Sequence, residues 1–118
     1  MGFENDGFVL SELLRRKDRE EAISWLRLGK GKHNIGEISL QKSKKLVADL
    51  YKFGARQVDV VDIGTNAGFS STDSLIVTLP REKKRRKRIF DWSDTQAIEM
   101  GLDPEPDRGQ KHLFIWFD

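Results

Sequence analysis

Hydrophobic positions along the chain fall into two periods, and the clearest signal is a pair of strand-length runs. Val58 to Ile63 and Leu75 to Leu79 are almost continuously apolar, and the ten residues between them, Gly64 to Asp73, show no helical spacing. Runs this short, bounded by glycine and proline, predict two strands paired across a long hairpin loop. Asp59 and Asp62 interrupt the first run, so one of them falls on a partly buried face or at a bulge.

Elsewhere the spacing is helical. Val9, Leu10, Leu13 and Leu14 make one short amphipathic turn, and Asp18 with Glu21 three residues later gives a capping-box start to a second, carrying Ala22, Ile23, Trp25 and Leu26 up to Gly29. Ile23 and Trp25 also alternate, which leaves Ile23 to Leu28 open to a strand reading. Ile35 to Ile38 suits a short strand. Ser39 then offers an N-cap to a helix running to Phe53, with Leu46, Val47, Leu50, Tyr51 and Phe53 on its apolar face and Gly54 as a left-handed stop. Beyond Pro80, the spacing predicts a helix over Lys83 to Met100 that buries Ile89, Phe90, Ala97 and Ile98 and stops at Gly101. A proline-rich turn from Leu102 to Gln110 precedes a last strand, Lys111 to Phe117.

This order predicts an α+β fold: an antiparallel sheet of three to four strands packed by two main helices and preceded by short N-terminal helices. Helix, strand, strand, helix, strand is a ferredoxin-like βαββαβ variant once Ile23 to Leu28 or Ile35 to Ser39 supplies the first strand. One domain, residues 9–118, is expected behind a loose terminus, residues 1–8. In the last strand Phe114 and Trp116 point to one side while Leu113, Ile115 and Phe117 point to the other, so both sheet faces need cover. The N-terminal helices or a second copy of the chain would supply it, which makes Phe114 and Trp116 candidate interface residues.

Composition narrows the function classes. A share of 37% apolar residues in 118 supports one core despite 34% charged residues. No apolar run approaches the roughly 18 residues of a membrane span, and the first residues lack a cationic then apolar leader, so a cytoplasmic protein without a membrane partner is expected. Cysteine is absent, which removes disulfides, thiolate metal sites and cysteine nucleophiles. The two histidines, His33 and His112, have no metal-motif spacing and read as packing or surface residues.

One motif invites a cofactor reading. Val60-Val61-Asp62-Ile63-Gly64-Thr65-Asn66-Ala67-Gly68 resembles the strand and glycine-rich turn that cradles S-adenosylmethionine in Rossmann-type methyltransferases. The resemblance implies a small methyltransferase-like enzyme, but Phe69 to Asp73 leads directly into another strand, with no room for the crossover helix of a parallel βαβ unit. A hairpin loop and no cofactor are expected. Asp103, Glu105 and Asp107 alternate as in a calcium loop, yet the sixth and twelfth places hold Arg108 and Phe114 instead of glycine and glutamate, so no metal is expected. An RNA-recognition module would need aromatics on its central strands, and Ser74 to Leu79 has none.

The strongest chemical signal is charge. Arg81 to Arg88 holds seven cations and one anion, a local sum of +6 in a chain of net +2, so the other residues total −4. Lys83, Lys84, Arg85, Arg86, Lys87 and Arg88 are therefore candidate contacts to nucleic-acid phosphates, and the run also suits a nuclear-import signal. A solvated helix start, with Glu82 paired to Arg86 and Lys87 to Asp91, would account for it without a ligand. No catalytic arrangement emerges from the spacing. The residues accordingly predict a non-catalytic interaction module that binds protein partners or itself, with phosphate-backbone binding through residues 81–88 as the alternative.

Overall fold

A computed structural model of the chain describes residues 7–36, 38–101 and 103–117. The expected loose terminus, residues 1–8, lies almost wholly outside them. Among the described residues there are four helices: α1 (Gly7–Leu14), α2 (Ala22–Leu28), α3 (Leu40–Phe53) and α4 (Lys83–Glu99). Seven strands join them: β1 (Glu20–Glu21), β2 (His33–Ile35), β3 (Gln57–Val61), β4 (Gly64–Asn66), β5 (Phe69–Thr72), β6 (Ser74–Thr78) and β7 (His112–Trp116). The radius of gyration is 13.5 Å, as expected of a compact domain this long.

The two apolar runs pair as antiparallel β3 and β6, with Val58 opposite Val77 and Val61 opposite Ser74. Antiparallel β7 flanks β6 and two-residue β1 flanks β3, giving a four-stranded antiparallel sheet in the order β1-β3-β6-β7. The strands therefore run across the sheet in chain order. A ferredoxin-like sheet interleaves its two halves, and that order is not reproduced. Neither expected first strand joins the main sheet: residues 23–28 are helical, and β2 belongs to a second sheet, β2-β5-β4. The loop of residues 64–73 is thus an ordered excursion. Its β4–β5 hairpin is antiparallel, while β5 runs parallel to β2.

The core lies between the main sheet and helices α2, α3 and α4. Val58, Val60, Leu75, Val77, Leu113 and Ile115 meet Trp25, Leu26, Val47, Leu50, Ile89 and Phe90 there. The far face is also closed within the single chain, because Val61 and Ile76 are 0% exposed and Phe114 is 5% exposed. Arg19, between α1 and β1, reaches across that face to the Asp59 carboxylate.

Local chemistry explains the boundaries. The Ser39 hydroxyl accepts the Lys42 N–H, and Gly54 ends α3 at φ 115°, both as the residues predict. Asp18 does not cap α2. It accepts the Ile63 N–H at 2.8 Å, and Glu21 caps the helix instead, accepting from the N–H groups of Ile23 and Ser24. Gly29 stops α2 in a right-handed conformation, so handedness is not the reason for glycine there. A Cβ would lie 2.2 Å from Cγ of His33, whose ring stacks on Trp25. Helix α4 buries Arg86, Ile89, Phe90 and Ser93, whereas Ile98 is exposed, because a turn of about 100° per residue sets it well off that stripe, and Ala97 is only partly buried.

Candidate functional site

The basic run forms the first two turns of α4, and the structure separates its members. Lys83, Lys84, Arg85, Lys87 and Arg88 are exposed. Arg86 turns inward, with Nε and Nη2 donating to the two Asp107 carboxylate oxygens at 3.2 and 2.6 Å and Nη1 donating to the Pro80 carbonyl at 3.1 Å. Its guanidinium also lies 5.7 Å from the centre of the Phe90 ring. Arg86 is therefore fully engaged inside the fold, and it holds the Asp107 carboxyl below the usual carboxylate range. Glu82 pairs with Arg85 at 3.3 Å instead of Arg86, while the expected Lys87 to Asp91 pair forms at 2.7 Å. These two pairs are open to water and contribute little to stability.

One cation from outside the expected run, and one from its start ahead of the helix, complete the site. Arg56, in the turn between α3 and β3, and Arg81, before α4, join Arg85 around an open depression of about 510 Å³ also lined by Gly54, Pro80 and Glu82. Three guanidinium-bearing residues from three segments thus face one hollow. Gly54 is the hinge of this arrangement: a Cβ there would stand 2.7 Å from Cδ and 2.9 Å from Cβ of Arg85, so only glycine lets the arginine stem lie across the end of α3. Arg56 is invisible to a reading of the charge run, being some 25 residues away in sequence. The signal that could have found it is Gly54, whose stop places the next residues beside whatever packs on that helix end.

The helix terminus adds to the field. Glu82, the N-cap, makes no side-chain hydrogen bond to the first turn, and that turn contains no acid. Its N–H groups and the adjacent cations all carry positive potential outward, which favours an anion by roughly 0.3 to 1 kcal/mol from the helix dipole alone. A separate, smaller depression between α3 and α4 is lined by Lys42, Lys45, Asp49, Trp92 and Gln96, with Lys45 paired to Asp49.

The other candidates resolve into structural roles. Asp59 is 1% exposed and accepts from Arg19 Nε at 2.8 Å and Gln57 Nε2 at 2.7 Å, a satisfied acid. Asp62 sits at φ 55°, exposed at the end of β3. Glu105 is engaged by Arg108 as Asp107 is by Arg86, and among the described residues no three potential ligands converge as a metal site. His33 Nδ1 lies 2.7 Å from the Trp25 carbonyl oxygen. Burial, with Arg19 and Lys111 nearby, pushes His112 down from its ordinary value. Phe114 is buried and Trp116 half-buried.

The methyltransferase-like motif occupies a different setting from its namesake. No helix follows Gly68, and the neighbour of β3 is antiparallel. Ala67 and Gly68, at φ 53° and 85°, form the two-residue turn of the β4–β5 hairpin. Asn34, Gly36, Thr65, Asn66, Phe69 and Ser71 line a shallow uncharged depression beside it. No protein-family model matches the chain, and no curated protein or solved structure matches it either. Among the described residues, no helix is long and apolar enough to cross a membrane.

Proposed function

We propose that this protein binds nucleic acid through the phosphate backbone, using Arg56, Arg81, Lys83, Arg85 and Lys87, with Lys84 and Arg88 on the outer crest between them. The convergence of Arg56, Arg81 and Arg85 on one hollow at the start of α4, with Glu82 the single acid among its lining residues, is the observation that carries this reading. Clustered cations displace condensed counterions, so binding should be steeply salt-dependent and largely indifferent to sequence. Arg86, committed to Asp107 and Pro80, takes no part.

The test is a titration of fluorescent oligonucleotides at several salt concentrations, comparing the native chain with a variant carrying Glu at Lys84, Arg85, Lys87 and Arg88. Five to seven phosphate contacts predict a log-log slope of about −4.5 to −6 on duplex DNA, strongly reduced in the variant. A native chain that binds no oligonucleotide at 50 mM salt would end the proposal, provided its circular dichroism is that of the folded protein.

A further inference from the structure

The cations of α4 are arranged around the helix, and that arrangement selects among nucleic acids. Successive residues turn by about 100°, so the buried stripe of Arg86, Ile89, Phe90 and Ser93 fixes where every other position points. Lys84 and Arg88 lie opposite the stripe, at the outer crest. Arg85 lies on one flank, toward α3, where Gly54, Arg56 and Arg81 extend it. Lys83 and Lys87 lie on the other flank, about half a turn of the helix away from Arg85. Of the nearby acids, Asp107 is held by Arg86, while Glu82 pairs with Arg85 and Asp91 with Lys87 in exposed pairs that a phosphate would displace, and Asp94 lies on the Lys83 and Lys87 flank.

A single strand lying along the helix engages one flank and leaves the other in water. Two strands bounding a groove engage both. An α-helix with its side chains is about 10–12 Å across, and the B-DNA major groove is about 12 Å wide, whereas the major groove of an RNA duplex is too narrow to admit one. We infer that the ligand is double-stranded DNA, with the first two turns of α4 set in the major groove, Arg56, Arg81 and Arg85 on the phosphates of one strand, and Lys83 and Lys87 on those of the other. This rests on the proposed phosphate-binding reading and specifies its partner. The donor-only crest of Lys84 and Arg88 then faces the acceptor-bearing edges of the base pairs.

Two double variants separate the flanks, Arg81→Gln with Arg85→Gln and Lys83→Gln with Lys87→Gln. Every substituted residue is exposed, and circular dichroism and thermal unfolding verify the fold of each variant. Salt titrations on duplex DNA, on one of its strands and on an RNA duplex of the same sequence provide the readout. The expected result is tightest binding to duplex DNA, with each variant lowering the duplex slope by about 2. If only the Arg81 and Arg85 variant matters, or if single strand or RNA duplex binds as tightly as DNA, the straddled groove is wrong while phosphate binding stands. Salt-independent or absent binding to all three overturns both readings. Equal affinity for vesicles containing anionic phospholipid would likewise overturn the DNA assignment.

Discussion

Tyr51 ties three elements together through one oxygen, and removing that oxygen should be costly. The Tyr51 hydroxyl donates to Glu21 Oε2 at 2.7 Å and accepts the Val58 N–H at 3.0 Å, linking the end of α3 to the cap of α2 and to strand β3. In Tyr51→Phe the ring stays and both bonds go. Val58 is fully buried, so its N–H loses a partner that water cannot replace, a penalty of about 1–3 kcal/mol. Glu21 keeps the N–H groups of Ile23 and Ser24 and is half-buried, so its loss is smaller, about 0.5–1 kcal/mol. The sum, roughly 1.5–4 kcal/mol, is a large part of the stability of a domain this size.

Urea unfolding followed by far-ultraviolet circular dichroism measures that difference, and its pH dependence identifies the source. Burial and the Glu21 carboxylate push the Tyr51 hydroxyl up to about 12. A folded-state value above the unfolded one favours the native state below about pH 10 and loses that contribution as pH rises toward 12. Burial pushes Glu21 up, but hydrogen bonds from Ser24, Tyr51 and Ile23 outweigh it and leave its value lowered. Its contribution is therefore complete above the ordinary carboxylate value and fades as pH falls through the native one. The gap between native chain and variant should be widest between about pH 5 and 10 and should narrow on both sides. A variant within 0.5 kcal/mol of the native chain at pH 7, or a gap unchanged at pH 11, would refute the argument.

Three further substitutions probe other features. Ala67→Asn places a residue that tolerates the left-handed region, beside Gly68, where Ala67 sits at φ 53°; the urea midpoint should rise by the equivalent of about 0.5–1 kcal/mol with an unchanged slope. Arg86→Gln breaks the pair with Asp107 and weakens the hold on Pro80, and should cost about 2–3 kcal/mol in thermal unfolding while leaving oligonucleotide affinity at 20 °C within twofold; a large affinity loss in the folded variant would return Arg86 to the binding surface. Asp94 has a buried, unpartnered Oδ1, and burial together with Asp91 raises its carboxyl. The native state therefore loses stability as pH climbs past the unfolded value, so Asp94→Asn should stabilise at pH 7 by a few tenths of a kcal/mol, with the gain absent at pH 3.

Much of the fold was legible because local chemistry decides it. Ser39, Gly54 and the apolar stripe between them specify α3, and the runs flanking the excursion specify the central strand pair. The misreadings share a cause: each depends on contacts distant in sequence. Glu21 outcompetes Asp18 as a cap because Asp18 is drawn to the Ile63 N–H, 45 residues away. Arg86 leaves the pattern of its helix because Asp107 waits 21 residues on. The alternation of apolar residues in the last strand called for cover on both sheet faces but left open whether the chain itself or a second copy supplies it, and burial of Val61, Ile76 and Phe114 within one chain answers part of that. For the candidate site, the sequence supplied the charge and the fold supplied its shape, adding Arg56 and withdrawing Arg86.

Val61 and Ser74 stand opposite each other in the ladder, so the central hairpin is already closed before the excursion begins. In architectural terms, the β4–β5 hairpin is a graft on a complete hairpin, anchored by Thr72, whose hydroxyl donates to the Val61 carbonyl. The longest uncharged stretch of the chain, residues 63–72, coincides with this graft. Such a branch can be lengthened, shortened or resurfaced without disturbing the register of β3 and β6, which makes it the place where the family of sequences compatible with this core has the most freedom to acquire a second role.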